Sequence, residues 1–196
     1  MALQLNAEGA GDGLRAENQY LRRELQLADS YSRMGALLDL QDARDFWQLV
    51  GKEWPSCDNI AAHARELRFF LTSKRSCFPI LAAMGDEARA FYAALPAVVT
   101  VWRGCYRCNM RGFSWSTDWD EAARFPFLNR YWRPRAQPWL LDGSVRREHI
   151  AFVCVDRNEG EVVALPRDVA INFREPLSRS EFYRIRAAGR PVFPSG

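Results

Sequence analysis

The hydrophobic pattern changes period once, near residue 97, and no other feature limits the fold as much. Up to Leu95 the apolar residues recur at helical spacing. Leu14, Leu21, Leu25, Ala28, Met34 and Leu38 form one stripe. Asp42 reads as the N-cap of a helix through Phe46, Trp47, Leu49 and Val50, which Trp54-Pro55 ends. Asp58 opens another helix, with Ile60, Ala64, Leu67, Phe70 and Leu71, and a further one covers Asp86 to Leu95 before Pro96. From Ala97 the runs become β-branched and aromatic. Strands are predicted over 97–102, 112–116, 139–141, 149–155, 161–165 and 169–173. Asp118 with Glu121 resembles a capping box for a short helix through Phe125, and Ser178 with Glu181 one for a last helix to Ala188. Helices first and strands later imply α+β rather than a doubly wound sheet. The expected organisation is a flexible stretch 1–13, a helical region 14–96 and a sheet-bearing core 97–196 with a C-terminal helix.

Several function classes drop out early. At 196 residues, 48% hydrophobic and 26% charged, the chain has globular composition and the length of one domain with a helical appendage. No run approaches the length of a membrane span. Met1 to Leu14 lacks a basic and an apolar signal region, so a cytoplasmic location is expected. The five cysteines then read as reduced thiols. Cys105 and Cys108 make a Cys-x-x-Cys pair, but a zinc site wants a second pair and His63 and His149 are isolated, so no metal is expected. There is no phosphate loop, no dinucleotide fingerprint and no pattern for a hydrolase triad. The stripe over 14–40 is too short for a firm coiled coil; packing on its own domain and a dimer or partner contact both stay open.

Charge is lopsided. Of 27 basic residues, 25 are arginine. Residues 1–100 carry a net −2 and residues 101–196 a net +5. A GC-rich coding genome explains the arginines; so does a demand for forked donors that grip phosphate or carboxylate. The basic half suits an anionic ligand and is too weak a footprint for nucleic-acid binding.

Three pieces of that half carry chemistry: Trp102-Arg103-Gly104 at a strand end, Gly112-Phe113-Ser114-Trp115-Ser116-Thr117, and Glu159-Gly160-Glu161-Val162-Val163 leading into a strand. In this order they resemble the ADP-ribosyltransferases of the Arg-Ser-Glu class, and more narrowly a bacterial and phage-type subgroup. The resemblance covers residues 97–175 and none of the helical part. It implies a split β-sandwich core with NAD in the cleft between two sheets. It further implies that Glu161 is the catalytic glutamate, set against the oxocarbenium-like ribose centre. Arg103 then holds an NAD phosphate or the ribose, and Ser114 orients the glutamate and the nicotinamide ribose, with Ser116 in support. Gly104 offers backbone to nicotinamide, or simply makes a turn. Glu159 accompanies arginine as acceptor in the family and would orient that guanidinium.

Each residue also has a plainer reading. Arg103 can be a structural salt bridge, Ser114 and Ser116 strand-edge polar residues, Glu161 an ordinary strand-start carboxylate, and Glu159 a solvated loop residue. Trp115 and Phe113 alternate away from Ser114 and read as core. The segment 119–138 interleaves Trp119, Phe125, Phe127, Tyr131 and Trp132 with Arg124, Arg130, Arg133 and Arg135. It reads as a packed connector, as a target-recognition surface, or as a single-strand nucleic-acid platform. The resemblance implies a mono-ADP-ribosyltransferase acting on a macromolecule, a protein arginine favoured, in a phage, prophage or bacterial effector, toxin or anti-defence setting. The alternative is a catalytically silent protein of the same fold that blocks a host or defence complex.

Overall fold

The computed structural model describes residues 19–40, 43–58, 60–73, 84–128, 131–155, 160–180 and 182–183. The chain divides into two compact units, Met1–Gly85 and Asp86–Gly196. Together they mix helices with an antiparallel sheet, an α+β composition. Among the described residues no helix is long and apolar enough to cross a membrane.

The first unit is helical. Residues 19–27 form α1, followed by α2 (Arg33–Leu38), α3 (Ala43–Glu53) and α4 (Ala64–Ser73). The stripe that starts at Leu14 does not run as one helix. It breaks at 28–32, where the Asp29 carboxylate accepts from the Ser32 hydroxyl (2.6 Å) and from the backbone N–H groups of Ser32 (2.8 Å) and Tyr31 (3.1 Å). A short polar side chain that bonds nearby backbone competes with helix continuation. The Ser32 hydroxyl and backbone bonds hold the Asp29 carboxyl below its ordinary range. Leu25, Met34, Leu37 and Leu38 are buried all the same, and α2 lies against α3 and α4. Phe46 packs its ring on Trp47 and Phe70. Arg33 ties the break to α3, donating to Glu53 (2.6 Å) and the Ala28 carbonyl (2.8 Å). The predicted cap at Asp42 and the stretch 1–13 lie outside the described residues, though α3 starts where that cap requires.

The second unit opens with α5 (Asp86–Ala94), which the helical pattern groups with the N-terminal half. Arg147 fastens it to the sheet: its guanidinium donates to the Leu95 and Ala93 carbonyls, and its own carbonyl accepts from the Tyr92 hydroxyl. The strands are β1 (Val98–Tyr106), β2 (Ser114–Ser116), β3 (Pro138–Arg146), β4 (Ile150–Cys154), β5 (Glu161–Ala164) and β6 (Val169–Pro176). They form one antiparallel sheet in the order β4-β5-β2-β1-β3-β6. Its middle is narrow. β1 and β3 pair along all nine residues, whereas β1 and β2 share only the pair Trp102–Ser116. The sheet is therefore two triplets, β4-β5-β2 and β1-β3-β6, hinged at one point.

The strands outrun the sequence pattern. β1 continues past Trp102 through Arg103-Gly104 to Tyr106 because Leu141, Leu140, Trp139 and Pro138 keep pairing with it. Arg103-Gly104 is mid-strand, not a strand end or a turn. A short helix, α6 (Trp119–Arg124), covers one face, with Trp119, Ala122, Ala123, Phe127, Leu140, Leu177 and Phe182 as its buried cluster and Trp102 packed on the edge. Half of the predicted capping box is present: the Asp118 carboxylate accepts from Asp120 and Glu121 N–H. Glu121 turns instead to Arg124. At the C-terminal end residues 179–180 and 182–183 are helical, with Phe182 N–H on the Ser178 carbonyl (2.9 Å); Glu181 and the rest of the predicted helix lie outside the described residues.

Candidate active site

The three sequence pieces converge where the sheet narrows. β2 and β5 pair Ser114 with Val163, Trp115 with Val162 and Ser116 with Glu161. Residues two apart on a strand, and directly opposed residues, share a face. Ser114, Ser116 and Glu161 therefore line one face, while Phe113 and Trp115 are buried as core residues. Glu161 begins β5 and is also registered against Cys154 of β4, so strands flank it on both sides. The Ser116 hydroxyl accepts from Asp118 N–H (2.9 Å). Ser116 thus links the strand to the cap of α6.

Arg103 reaches this strand pair from β1. Its Nη1 donates to the Ser114 carbonyl, and its Nε (3.3 Å) and Nη2 (3.1 Å) both donate to the Asn109 carbonyl. The Ser114 carbonyl lies just beyond the last β1–β2 pair, so the guanidinium supplies a donor where the backbone ladder has stopped. Three of the five N–H donors of a guanidinium are used in this way. Among the described residues Arg103 has no salt-bridge partner. Burial pulls its pKa below the ordinary value, and the charges of Cys105 and Glu161 oppose that. A half-buried guanidinium that keeps two N–H groups can donate to an anionic oxygen.

The glycines explain how this is possible. A Cβ on Gly112 would run into Nη2 and Cζ of Arg103 and come within 2.9 Å of Nη1. The Gly of the Gly-x-Ser piece is thus the space that the Arg of the first piece fills. Gly104 answers a different demand: a Cβ there would overlap the Ala122 carbonyl oxygen and come within 2.6 Å of Pro126 Cδ. Its lack of a side chain lets α6 lie flat on β1. Helix packing accounts for the missing side chain at this position.

Glu159 lies outside the described residues. Gly160, next to it, has φ +52°, the left-handed region that favours glycine. The Gly160 carbonyl accepts from both Thr117 N–H (2.9 Å) and the Thr117 hydroxyl (3.0 Å). Asn109, Gly112, Thr117 and Gly160 were not singled out one by one by sequence reasoning. Only the glycines leave a signal there, Gly112 at the start of its motif and Gly160 just before Glu161.

Many of the aromatic residues outside the three pieces are engaged in packing. In the segment 119–138, Trp119 and Phe127 are buried, Phe125 stacks on Tyr131 (4.3 Å between ring centroids) and Phe127 lies against Phe182. Arg133 sits over the Tyr106 ring and donates to Cys108 Sγ (3.3 Å), and Arg179 sits over Trp132. Arg130 lies outside the described residues. The two cysteines of the Cys-x-x-Cys pair face different surroundings. Cys105 is buried in β1, where desolvation pushes its thiol up to about 11, while Cys108 is exposed.

Comparison with protein-family models, with curated proteins and with solved structures brings no match.

Proposed function

We propose that the chain is a mono-ADP-ribosyltransferase of the Arg-Ser-Glu class, which uses NAD as substrate and transfers ADP-ribose to a macromolecule. One observation carries this reading. Arg103 of β1 bonds the Ser114 backbone carbonyl of β2, and Ser114 and Ser116 share a face with Glu161 of β5, so residues from three pieces spread over the second half of the sequence come together on neighbouring strands where the sheet narrows. The strands form one continuous sheet where the resemblance implies two, and the single Trp102–Ser116 pair between the two triplets is what supports a split core; NAD would bind beside that narrowing.

The residues divide the work as follows. Arg103 offers its two remaining N–H groups to a phosphate or ribose oxygen. Ser114 and Ser116, on the face of Glu161, orient the ribose. The Glu161 carboxylate stabilises the positive charge that grows on the ribose as the bond to nicotinamide breaks. Nicotinamide leaves with the bonding electron pair. An acceptor nitrogen, a protein arginine favoured, attacks the anomeric carbon and loses a proton. Glu159 would orient that acceptor guanidinium, and a Glu159→Gln variant that keeps NAD hydrolysis but loses transfer would support this. Gly104, whose missing Cβ makes room for α6, would offer its backbone to nicotinamide.

The test is incubation with labelled NAD and cell lysate. The wild type labels a macromolecule, and Glu161→Ala lowers labelling by at least a hundredfold. Intact mass spectrometry then names the acceptor by a gain of one ADP-ribose. The observation favouring the silent binding protein is that most of the Arg103 fork is spent on backbone carbonyls. Full biological effect in Glu161→Ala would choose that alternative. A bacterial or phage effector acting in a cytoplasm, and a dimer or partner contact through residues 14–40, complete the proposal and rest on the resemblance and the N-terminal stripe.

A further inference from the structure

We infer that Thr117 is a positioning residue for Glu161, acting through the Gly160 carbonyl; this rests on the reading of Glu161 as the group that cleaves NAD. A carboxylate on the first residue of a strand sits where pairing frays most readily. Its neighbours in register, Ser116 and Cys154, fix its lateral position. The chain direction into Glu161 is set one residue earlier, at Gly160.

There the backbone is turned left-handed, φ +52°, and its carbonyl takes two hydrogen bonds from one residue, the Thr117 N–H (2.9 Å) and the Thr117 hydroxyl (3.0 Å). The first bond continues the β2–β5 ladder beyond Ser116–Glu161. The second occupies the other lone pair of the carbonyl and removes its freedom to rotate about the first. A Cβ on Gly160 would collide with the Thr117 hydroxyl, so glycine at 160 and threonine at 117 belong to one arrangement. Thr117 is also bracketed by Ser116, which faces Glu161 across the ladder, and Asp118, which caps α6. The clasp thus ties the carboxylate to the end of β2 that is paired with Trp102 and leads into the α6 cap. Catalysis depends on such placement: a misplacement of about 1 Å can cost about a hundredfold in rate.

Thr117→Val keeps the shape and the backbone N–H and removes only the hydroxyl. We expect about a tenfold fall in kcat for release of nicotinamide from NAD, with KM for NAD within about twofold, because a group that positions the carboxylate acts on the transition state. Thr117→Ser restores the hydroxyl and the rate. If Thr117→Val does not fold, Thr117→Ala makes the same deletion with less crowding. Unchanged kcat, or a rise in KM alone, overturns the inference, as does a serine variant no faster than valine. If the wild type itself releases no nicotinamide, the reading of Glu161 has failed. If the wild type is active and the valine variant matches it, only the role of Thr117 has failed.

Discussion

The two flanks of β1 are built on opposite plans. Toward β3 every residue from Val98 to Tyr106 has a register partner. Toward β2 only Trp102 has one. On the first flank the backbone holds itself. On the second, a side chain replaces the ladder: Arg103 bonds the Ser114 and Asn109 carbonyls. A strand fully fixed on one side can afford to leave the other open, and an open side lined by polar groups is where a ligand can enter. The contrast can be attacked from either flank.

The largest effect is expected at Gly104, where β1 is fully paired and covered. Gly104→Ala would press a methyl into the Ala122 carbonyl oxygen and Pro126. Both belong to backbone or ring atoms that cannot swing aside, so we expect a loss of about 3 kcal/mol or more in urea denaturation. A stable Gly104→Ala would mean that α6 slides on the sheet and that the rigid flank is not rigid. The open flank is attacked through Arg103→Met. Removing the guanidinium leaves two carbonyls without their donors, which we expect to cost about 2 kcal/mol, less what entering water returns. Arg103→Lys should recover little of this, because one ammonium cannot span both carbonyls as the fork does. A lysine variant as stable as wild type would show that charge, and not the fork, holds the flank open.

The difference between the flanks also marks what could be read from the sequence. The long paired flank was legible: alternation and β-branched content predict β1, and the periodicity predicts α3 and α5 nearly to the residue; the helix expected from Asp58 starts at Ala64 as α4, after a 3-10 turn over Ile60–His63. β1 was drawn short because Arg103 and Gly104 look like a strand end. Their pairing comes from β3, more than thirty residues away, which local propensity does not contain. The break at 28–32 was missed for the opposite reason: the apolar stripe continues across it, while Asp29 and Ser32 redirect the backbone locally. The motifs at Arg103, Ser114 and Glu161 were visible as residues. Their meeting point depends on register, as do the roles of Gly112 and Thr117. The plainer reading of Phe113 and Trp115 as core holds, and the packed-connector reading of 119–138 accounts for Trp119, Phe127, Phe125 and Tyr131.

A pH test separates the buried side of β1 from its loop. Burial pushes the Cys105 thiol from 9.0 up to about 11, with Arg103 pulling the other way. Above pH 9 the unfolded chain gives up this proton and the folded chain keeps it. The unfolded state then binds fewer protons, so stability falls as pH rises. The contribution is intact below pH 9 and declines by about 1.4 kcal/mol per pH unit until the folded thiol titrates near 11. Denaturation of wild type and Cys105→Ala at pH 8 and pH 10 isolates it: the gap between them should shrink by about 1.4 kcal/mol at the higher pH. A constant gap would show that Cys105 is wetter than its place in the paired strand implies. Among the cysteines of the described residues, Cys108, exposed on the loop after β1, should be alkylated first at pH 8.

The smallest effect is expected where β2 leaves the open flank. Asp118 caps α6 with bonds to Asp120 N–H (2.8 Å) and Glu121 N–H (3.3 Å), while its own N–H is held by Ser116. The helix has only six residues, so few of its amides find partners inside it and the cap matters. Asp118→Ala should cost about 1 kcal/mol, and Asp118→Asn, which keeps an acceptor oxygen, only a few tenths. The urea midpoint should move with no change in slope. If the asparagine variant falls as far as alanine, the carboxylate charge beside the helix start outweighs the hydrogen bonds. In that case the end of β2 is held by electrostatics, and salt should weaken it more than it weakens the β1–β3 flank.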